Sequence, residues 1–333
     1  MGIELGRVAR YRSGVRNRTV LIAVAIALVA GCASTPDPTL VRLAARHSPD
    51  RPFAESRFFT LASIRIHFRV WEPSGDPVGK IMMVHGTGAS TVSFDRIAPL
   101  LADRGYAVVA ADLPGFGFSA LALDFEHSID ARASLMWSVA DRLDTEENQF
   151  GPARRWILVG HEAGGAVATA MTLDRQSRTE ALVVIGSNIA DREHPGRFMW
   201  FPPVRWALRA WLRESLYTPG GVAELLARAY GRQPTEDEVD RYAAPIVRPG
   251  MRDAFLNYRA TAGPVDLALE DISTPLLAVW GTEDTNVTPA ATDRIVARVR
   301  HATVSLIDGA AHLPTDTHPT ETVTALVTWL DGL

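Results

Sequence analysis

The sequence predicts an α/β fold in which a mostly parallel sheet is covered by helices, and three observations carry that prediction. Short, continuously apolar runs recur along the chain, most are followed by a stretch with helical patterning, and the turns leaving them are rich in glycine. Strands buried on both faces have no polar side to show. They therefore read as unbroken apolar runs and not as alternation.

The elements follow in order. Residues 58–61 and 64–70 alternate or run apolar, as an opening antiparallel pair does. The run 81–84 precedes a helix expected over 94–104, and 107–110 precedes one expected over 129–143. The run 156–159 leads into a small-residue helix over 163–173, and 182–185 forms the next strand. Later, 276–279 precedes 290–299, and 304–307 precedes 320–330, which completes eight strands. Between 185 and 276 lie roughly 90 residues holding Trp200, Phe201, Trp206 and Trp211. Structureless loops of that length are uncommon inside a domain, so a helical insertion is expected there, its aromatics facing a ligand, the core or a membrane.

The first residues read as an address. Arg7, Arg10, Arg12, Arg16 and Arg18 stand against Glu4 alone, ahead of the apolar run 20–30. That run is short for a bilayer span, which needs about 20 residues, and suits a signal-peptide core. Residues Val29, Ala30, Gly31 and Cys32 resemble the bacterial lipobox, in which the cysteine is acylated; a plain signal peptide with a coincidental cysteine is the alternative. Cys32 is the sole cysteine, so no intrachain disulfide forms. The expected organisation is a signal peptide over 1–31, a tether over 32–54, core over 55–187, a helical cap insertion over 188–268, and core over 269–333. The expected location is the bacterial cell envelope, with the chain held to the membrane surface by lipid. Removing residues 1–31 leaves 29 basic and 37 acidic residues, a balance with no nucleic-acid footprint.

Ligands of open parallel sheets bind beyond the carboxyl ends of the strands. Five turns lie at such ends. His85, Gly86, Thr87 and Gly88 follow the first long parallel run, and the segment from Asp112 to Ser119 follows the next. Gly160, His161, Glu162, Ala163 and Gly164 sit between a strand and a helix. Gly281 with Asp284, and Gly309 with His312, each end a late strand. In this order and spacing they resemble the α/β-hydrolase superfamily over about residues 55–333: an HG-x-G turn, D-x-P-G-x-G-x-S, a G-x-(nucleophile)-x-G elbow, G-x-x-D, and G-x-x-H.

The resemblance implies an eight-stranded, mostly parallel sheet with a cap, and a site at the elbow. It implies that the N–H groups of Thr87 and Ala163 form an oxyanion hole, with His312 as the base and Asp284 orienting it. Glu283 neighbours Asp284, but the G-x-x-D spacing favours Asp284. His85 and His161 belong to the turns and read as structural. Asp112 is expected to anchor its own turn. Ser119 and Ser187 lack an elbow's glycine frame. Where the family often has a glutamate before a proline, this chain has Thr317, with Asp316 and His318 beside it. No metal-ligand spacing, phosphate loop or dinucleotide fingerprint is present, so no cofactor is expected.

Glu162 stands where the family most often has serine and where its dehalogenase and epoxide-hydrolase branches have aspartate. A carboxylate attacking an ester would give a reactive anhydride, whereas displacement at an sp3 carbon gives an ester that water can hydrolyse. Glutamate also reaches about 1.5 Å further than aspartate. Four readings stay open: a nucleophile, a general base or water-orienting group, a substitution within an esterase-like enzyme, and a group that pairs with His312 and closes the site. The expected function is hydrolysis of a small or lipid-like apolar substrate. The alternative is a catalytically inactive envelope lipoprotein that binds a ligand or partner in the same pocket.

Overall fold

The computed structural model describes residues 50–147, 155–190, 201–215 and 218–333. The segment expected as signal peptide (1–31) and most of the expected tether (32–54), with Cys32, lie outside the described residues. Eight strands form one sheet in the order β1-β2-β4-β3-β5-β6-β7-β8. The strands are β1 (Ser56–Leu61), β2 (Ile64–Trp71), β3 (Gly79–Val84), β4 (Tyr106–Ala111), β5 (Trp156–His161), β6 (Thr179–Ile185), β7 (Leu276–Gly281) and β8 (Ala302–Ile307). The β1–β2 and β2–β4 pairs are antiparallel, and every pair from β4 to β8 is parallel.

Successive side chains of a strand point to opposite faces, and both faces of this sheet are covered. Met82 and Val84 join one apolar core with α2 (Ile129–Arg142) and α3 (Ala163–Asp174). Ile81 and Met83 join a second core with α1 (Ile97–Ala102) and α9 (Pro319–Leu330). The alternation repeats in β5, where Leu158 faces the first core and Ile157 and Val159 the second. Edge strand β8 departs from the expected pattern. Val304 and Leu306 are exposed there while Ile307 is buried, since β8 has a neighbouring strand on one side alone. The helix expected over 94–104 is also shorter. Thr91–Phe94 forms one 3-10 turn, and α1 begins afterwards with Pro99 in its first turn, where a missing N–H costs nothing.

Among the described residues, four α-helices lie between β6 and β7: α4 (Pro202–Ser215), α5 (Pro219–Tyr230), α6 (Glu236–Ile246) and α7 (Met251–Thr261). Val222, Leu226, Tyr242 and Ile246 from α5 and α6 form a third core with Val92 and Leu313 of the sheet domain. The 3-10 turn carrying Val92 and the loop carrying Leu313 follow strand ends, so these helices roof the carboxyl end of the sheet. Of the aromatics in this insertion whose side chains are described, Phe201 and Trp206 are exposed; Trp200 lies outside the described residues. Helix α8 (Ala291–Arg298) lies between β7 and β8.

A buried carboxylate fixes two of the turns. Asp112 accepts hydrogen bonds from Thr91 N–H (2.7 Å), Phe118 N–H (2.7 Å) and the Nδ1 of His67 (2.7 Å). A Cβ at Gly117 would lie 1.9 Å from its Oδ2, and the φ of Gly117 is +56°, so only glycine closes this turn. Burial alone would raise the Asp112 pKa. The charge and hydrogen bond of His67 outweigh it and hold the carboxyl below its ordinary value. A depressed folded pKa contributes stability that is present above the unfolded value, about 3.9, and is lost as pH falls through the folded pKa. Asp112→Asn should therefore cost about 3–5 kcal/mol at neutral pH. In thermal melts between pH 7 and pH 3, the gap between variant and wild type should close on the acid side.

Candidate active site

The elbow is built by close backbone packing. Strand β5 ends at His161 and α3 begins at Ala163, so Glu162 turns the chain alone, with φ +49° and ψ −118°. A non-glycine residue at positive φ costs on the order of 1–3 kcal/mol and persists only where its surroundings over-determine it. Here Glu162 N–H donates to Ile185 O, and its own carbonyl accepts from Gly165 N–H and from the Ser187 hydroxyl. A Cβ at Gly160 would lie 2.3 Å from Gly164 O, and one at Gly164 would lie 2.0 Å from Val84 O. The glycine frame read in the sequence is thus a packing requirement.

The HG-x-G turn delivers a donor to the elbow. Thr87 N–H donates to the Glu162 Oε2 at 2.7 Å. This is a charge-assisted bond, beside the N-terminus of α3, where the helix dipole also favours negative charge. Gly86 makes room for it, because a Cβ there would lie 2.8 Å from Glu162 Cβ and 2.9 Å from Oε2. The extra methylene of glutamate is taken up by bringing one carboxylate oxygen to the Thr87 amide. His85 holds the turn from behind: its Nε2 accepts from Leu113 N–H (3.0 Å) and its Nδ1–H donates to Gly86 O (2.8 Å). That pattern requires the neutral ring, and burial lowers its pKa in agreement. Tyr258 of α7 touches the same turn, its hydroxyl 3.0 Å from Thr87 Oγ1. Nothing in the sequence marked that contact, because it joins residues far apart in the chain through an element with no motif.

Asp284 and His312 meet as their motifs implied. His312 Nδ1 lies 2.8 Å from Asp284 Oδ2, while Asp284 Oδ1 accepts from Asn286 N–H (2.8 Å) and Val287 N–H (2.9 Å). An ionised carboxylate only accepts, so His312 carries its proton on Nδ1 and Nε2 is the basic nitrogen. Glu283 is exposed and does not compete for this place. Strand ends β6 and β7 permit the approach: a Cβ at Gly281 would lie 2.2 Å from Ala310 O, and Gly186 sits beside the pair at φ +52°. His161 supports the loop, its Nε2 donating to His312 O at 2.9 Å, and burial keeps its ring neutral by lowering its pKa.

Thr87, His161, Glu162 and His312 line one cavity of about 560 Å³. Its roof is apolar, with Val222, Leu225, Leu226 and Ile246 from α5 and α6. Asp316, four residues past His312, does not line it. It is buried against Arg96 (Nε–Oδ1 2.8 Å), Arg241 and the Tyr230 hydroxyl, which ties the roof helices to the histidine loop. Thr317 instead bonds its own turn through Leu313 O. Among the described residues, no group of three or more His, Cys, Asp or Glu side chains is arranged to hold a metal.

This arrangement agrees with the comparison of the chain with known families, in which the Alpha/beta hydrolase family matches residues 81–326. The chain belongs to the Alpha/beta hydrolase family. Among its relatives is the hydrolase YugF of Bacillus subtilis, 24% identical over 269 residues, covering 79% of this chain and 93% of YugF. Haloalkane dehalogenase 2 of Mycobacterium tuberculosis is 28% identical over 271 residues, covering 77% of this chain and 83% of the dehalogenase. A crystal structure of the CarC serine hydrolase of carbazole degradation shares the fold at a TM-score of 0.67, with 19% identity over 84% of this chain and 99% of CarC.

The His312–Asp284 bond has a spectroscopic consequence. A Nδ1–H shared with a buried carboxylate gives a far-downfield proton resonance, which should be present in wild type and in His161→Gln. It should vanish in Asp284→Asn and in His312→Gln.

Proposed function

We propose that this member of the family is a hydrolase that acts through the Glu162 carboxylate at an sp3 carbon of a small apolar substrate, of the alkyl halide or epoxide class. The observation that carries this reading is the 2.7 Å bond from Thr87 N–H to Glu162 Oε2. A hole donor already bound to a carboxylate oxygen is not open to a substrate carbonyl, which argues against acyl transfer. The same bond suits displacement. One carboxylate oxygen is held, the other attacks carbon, and the halide or epoxide oxygen leaves with the bonding pair. The product is an ester of Glu162 whose carbonyl oxygen already lies at the Thr87 amide. Water, deprotonated by His312 Nε2, then adds to that carbonyl, and the oxyanion forms where the donor waits. Collapse releases the alcohol and restores the carboxylate. The similarity to a haloalkane dehalogenase supports the reading.

His312→Ala should abolish turnover of halides and epoxides, a loss of on the order of 10²–10⁴ or more. It should also accumulate a covalent adduct on the peptide carrying Glu162, visible by mass. In a single turnover of wild type in labelled water, the label should enter Glu162 and not the product. Label in the product alone refutes the nucleophile. No turnover in wild type, with esterase activity gained in Glu162→Ser, favours the ligand-binding alternative.

The lipobox-like segment adds a location to this proposal: export, cleavage before Cys32 and lipid attachment there, which would hold the catalytic domain at a membrane surface. Cys32→Ser should move the protein from the membrane fraction to the soluble fraction. Retention on the membrane would refute the anchor.

A further inference from the structure

An acidic and a basic side chain, Glu162 and Arg294, line the same cavity. They lie on different parts of the sheet end. Glu162 immediately follows β5, and Arg294 is in α8, which follows β7. Strand β6 separates the two, so their strand ends stand roughly 10 Å apart by ordinary sheet spacing. The same cavity is lined by apolar Val222, Leu226, Val287 and Leu313 and by polar Asn188, Asn286, Thr288 and His312.

Arg294 is exposed and weakly committed. Its Nη2 donates to Asn188 Oδ1 at 3.4 Å, a long bond to a neutral acceptor, and it has no ion pair with a carboxylate among the described residues. Arg298, one turn further along α8, is by contrast held by Glu270 at 2.6 Å. The neighbouring Asp293 is exposed and does not line the cavity. A guanidinium with free donors at the rim of an apolar cavity matches a carboxylate in shape and charge, because its planar fork gives two parallel N–H···O bonds.

We propose that Arg294, with the Asn188 amide beside it, is a carboxylate-binding subsite, and that the ligand is an amphiphile with a carboxylate at one end of an apolar chain. The two charges orient it. Glu162 repels the carboxylate end, Arg294 attracts it, and the uncharged end is left toward the elbow. This orientation rests on the displacement reading for what happens at that end; the subsite itself does not. The apolar roof holds the chain between the two.

The test compares sodium octanoate with 1-octanol by isothermal titration calorimetry on the purified full chain. Wild type should bind octanoate more tightly than octanol. Arg294→Gln should weaken octanoate at least about tenfold and leave octanol unchanged. Arg294→Lys should keep part of the preference, since a point charge replaces the fork. Octanoate binding unaffected by Arg294→Gln overturns the proposal, and so does a wild type that binds the two probes alike. Arg294 is exposed, so loss of fold is not expected, and circular dichroism of each variant checks this. The binding pattern without turnover of any halide or epoxide keeps the subsite and removes the reaction. Turnover with no preference for the carboxylate probe does the reverse.

Discussion

The site depends on one packing constraint, the approach of the α3 backbone to the end of β3. With Gly164 against Val84 O, no side chain fits between the elbow and the neighbouring strand. That contact holds Glu162 at positive φ, and the strained turn aims its side chain at the loop that follows β3. The Thr87 amide is part of that loop. The strain, the glycines and the Thr87–Glu162 bond are therefore one arrangement. Changing the side chain at 162 alters the chemistry, whereas adding a Cβ at 160 or 164 removes the geometry that any side chain at 162 needs.

A second arrangement keeps the loop itself in place. Asp112 binds Thr91 N–H on one side and Phe118 N–H on the other, and His67 of β2 closes the triangle. His85 adds a bond from the β3 turn to Leu113. The turns after β3 and β4 are thus braced against each other by groups that never touch the cavity. Buried polar groups of this kind are costly unless fully partnered, and here each Asp112 oxygen has a donor. The D-x-P-G-x-G-x-S segment is a scaffold for the HG-x-G turn, which explains why the two occur together in the sequence.

Much of this was legible in the sequence because it is local. Apolar runs fixed the strands, glycines fixed the turns, and each catalytic-type residue sits within a few positions of the glycine that admits it. Asp284 with Gly281 and His312 with Gly309 are of this kind. Other parts depend on residues distant in the chain, and no local pattern announces them. The Tyr258–Thr87 contact, the burial of Asp316 under Tyr230 and Arg241, and the place of Arg294 at the cavity rim all arise where the helices between β6 and β7, or after β7, meet the sheet end. Val304 and Leu306 show the opposite failure. Their run looks like a covered strand, but coverage depends on position in the sheet order, and β8 is at its edge.

The direction of Glu162 also required the fold. From reach alone, a glutamate in place of a shorter side chain overshoots the reacting centre by about the length of one C–C bond. The structure removes that difficulty by bending the side chain to the Thr87 amide, where Gly86 leaves room for both the Cβ and the carboxylate. A donor that would otherwise meet an oxyanion formed during reaction is then occupied by an anion from the outset. For acyl transfer that is a block, since the substrate carbonyl has lost its place. For displacement at carbon it is an advantage, since the ester produced keeps its carbonyl oxygen on the donor through hydrolysis. In the proposed reaction, the same hydrogen bond is what favours displacement at carbon over acyl transfer.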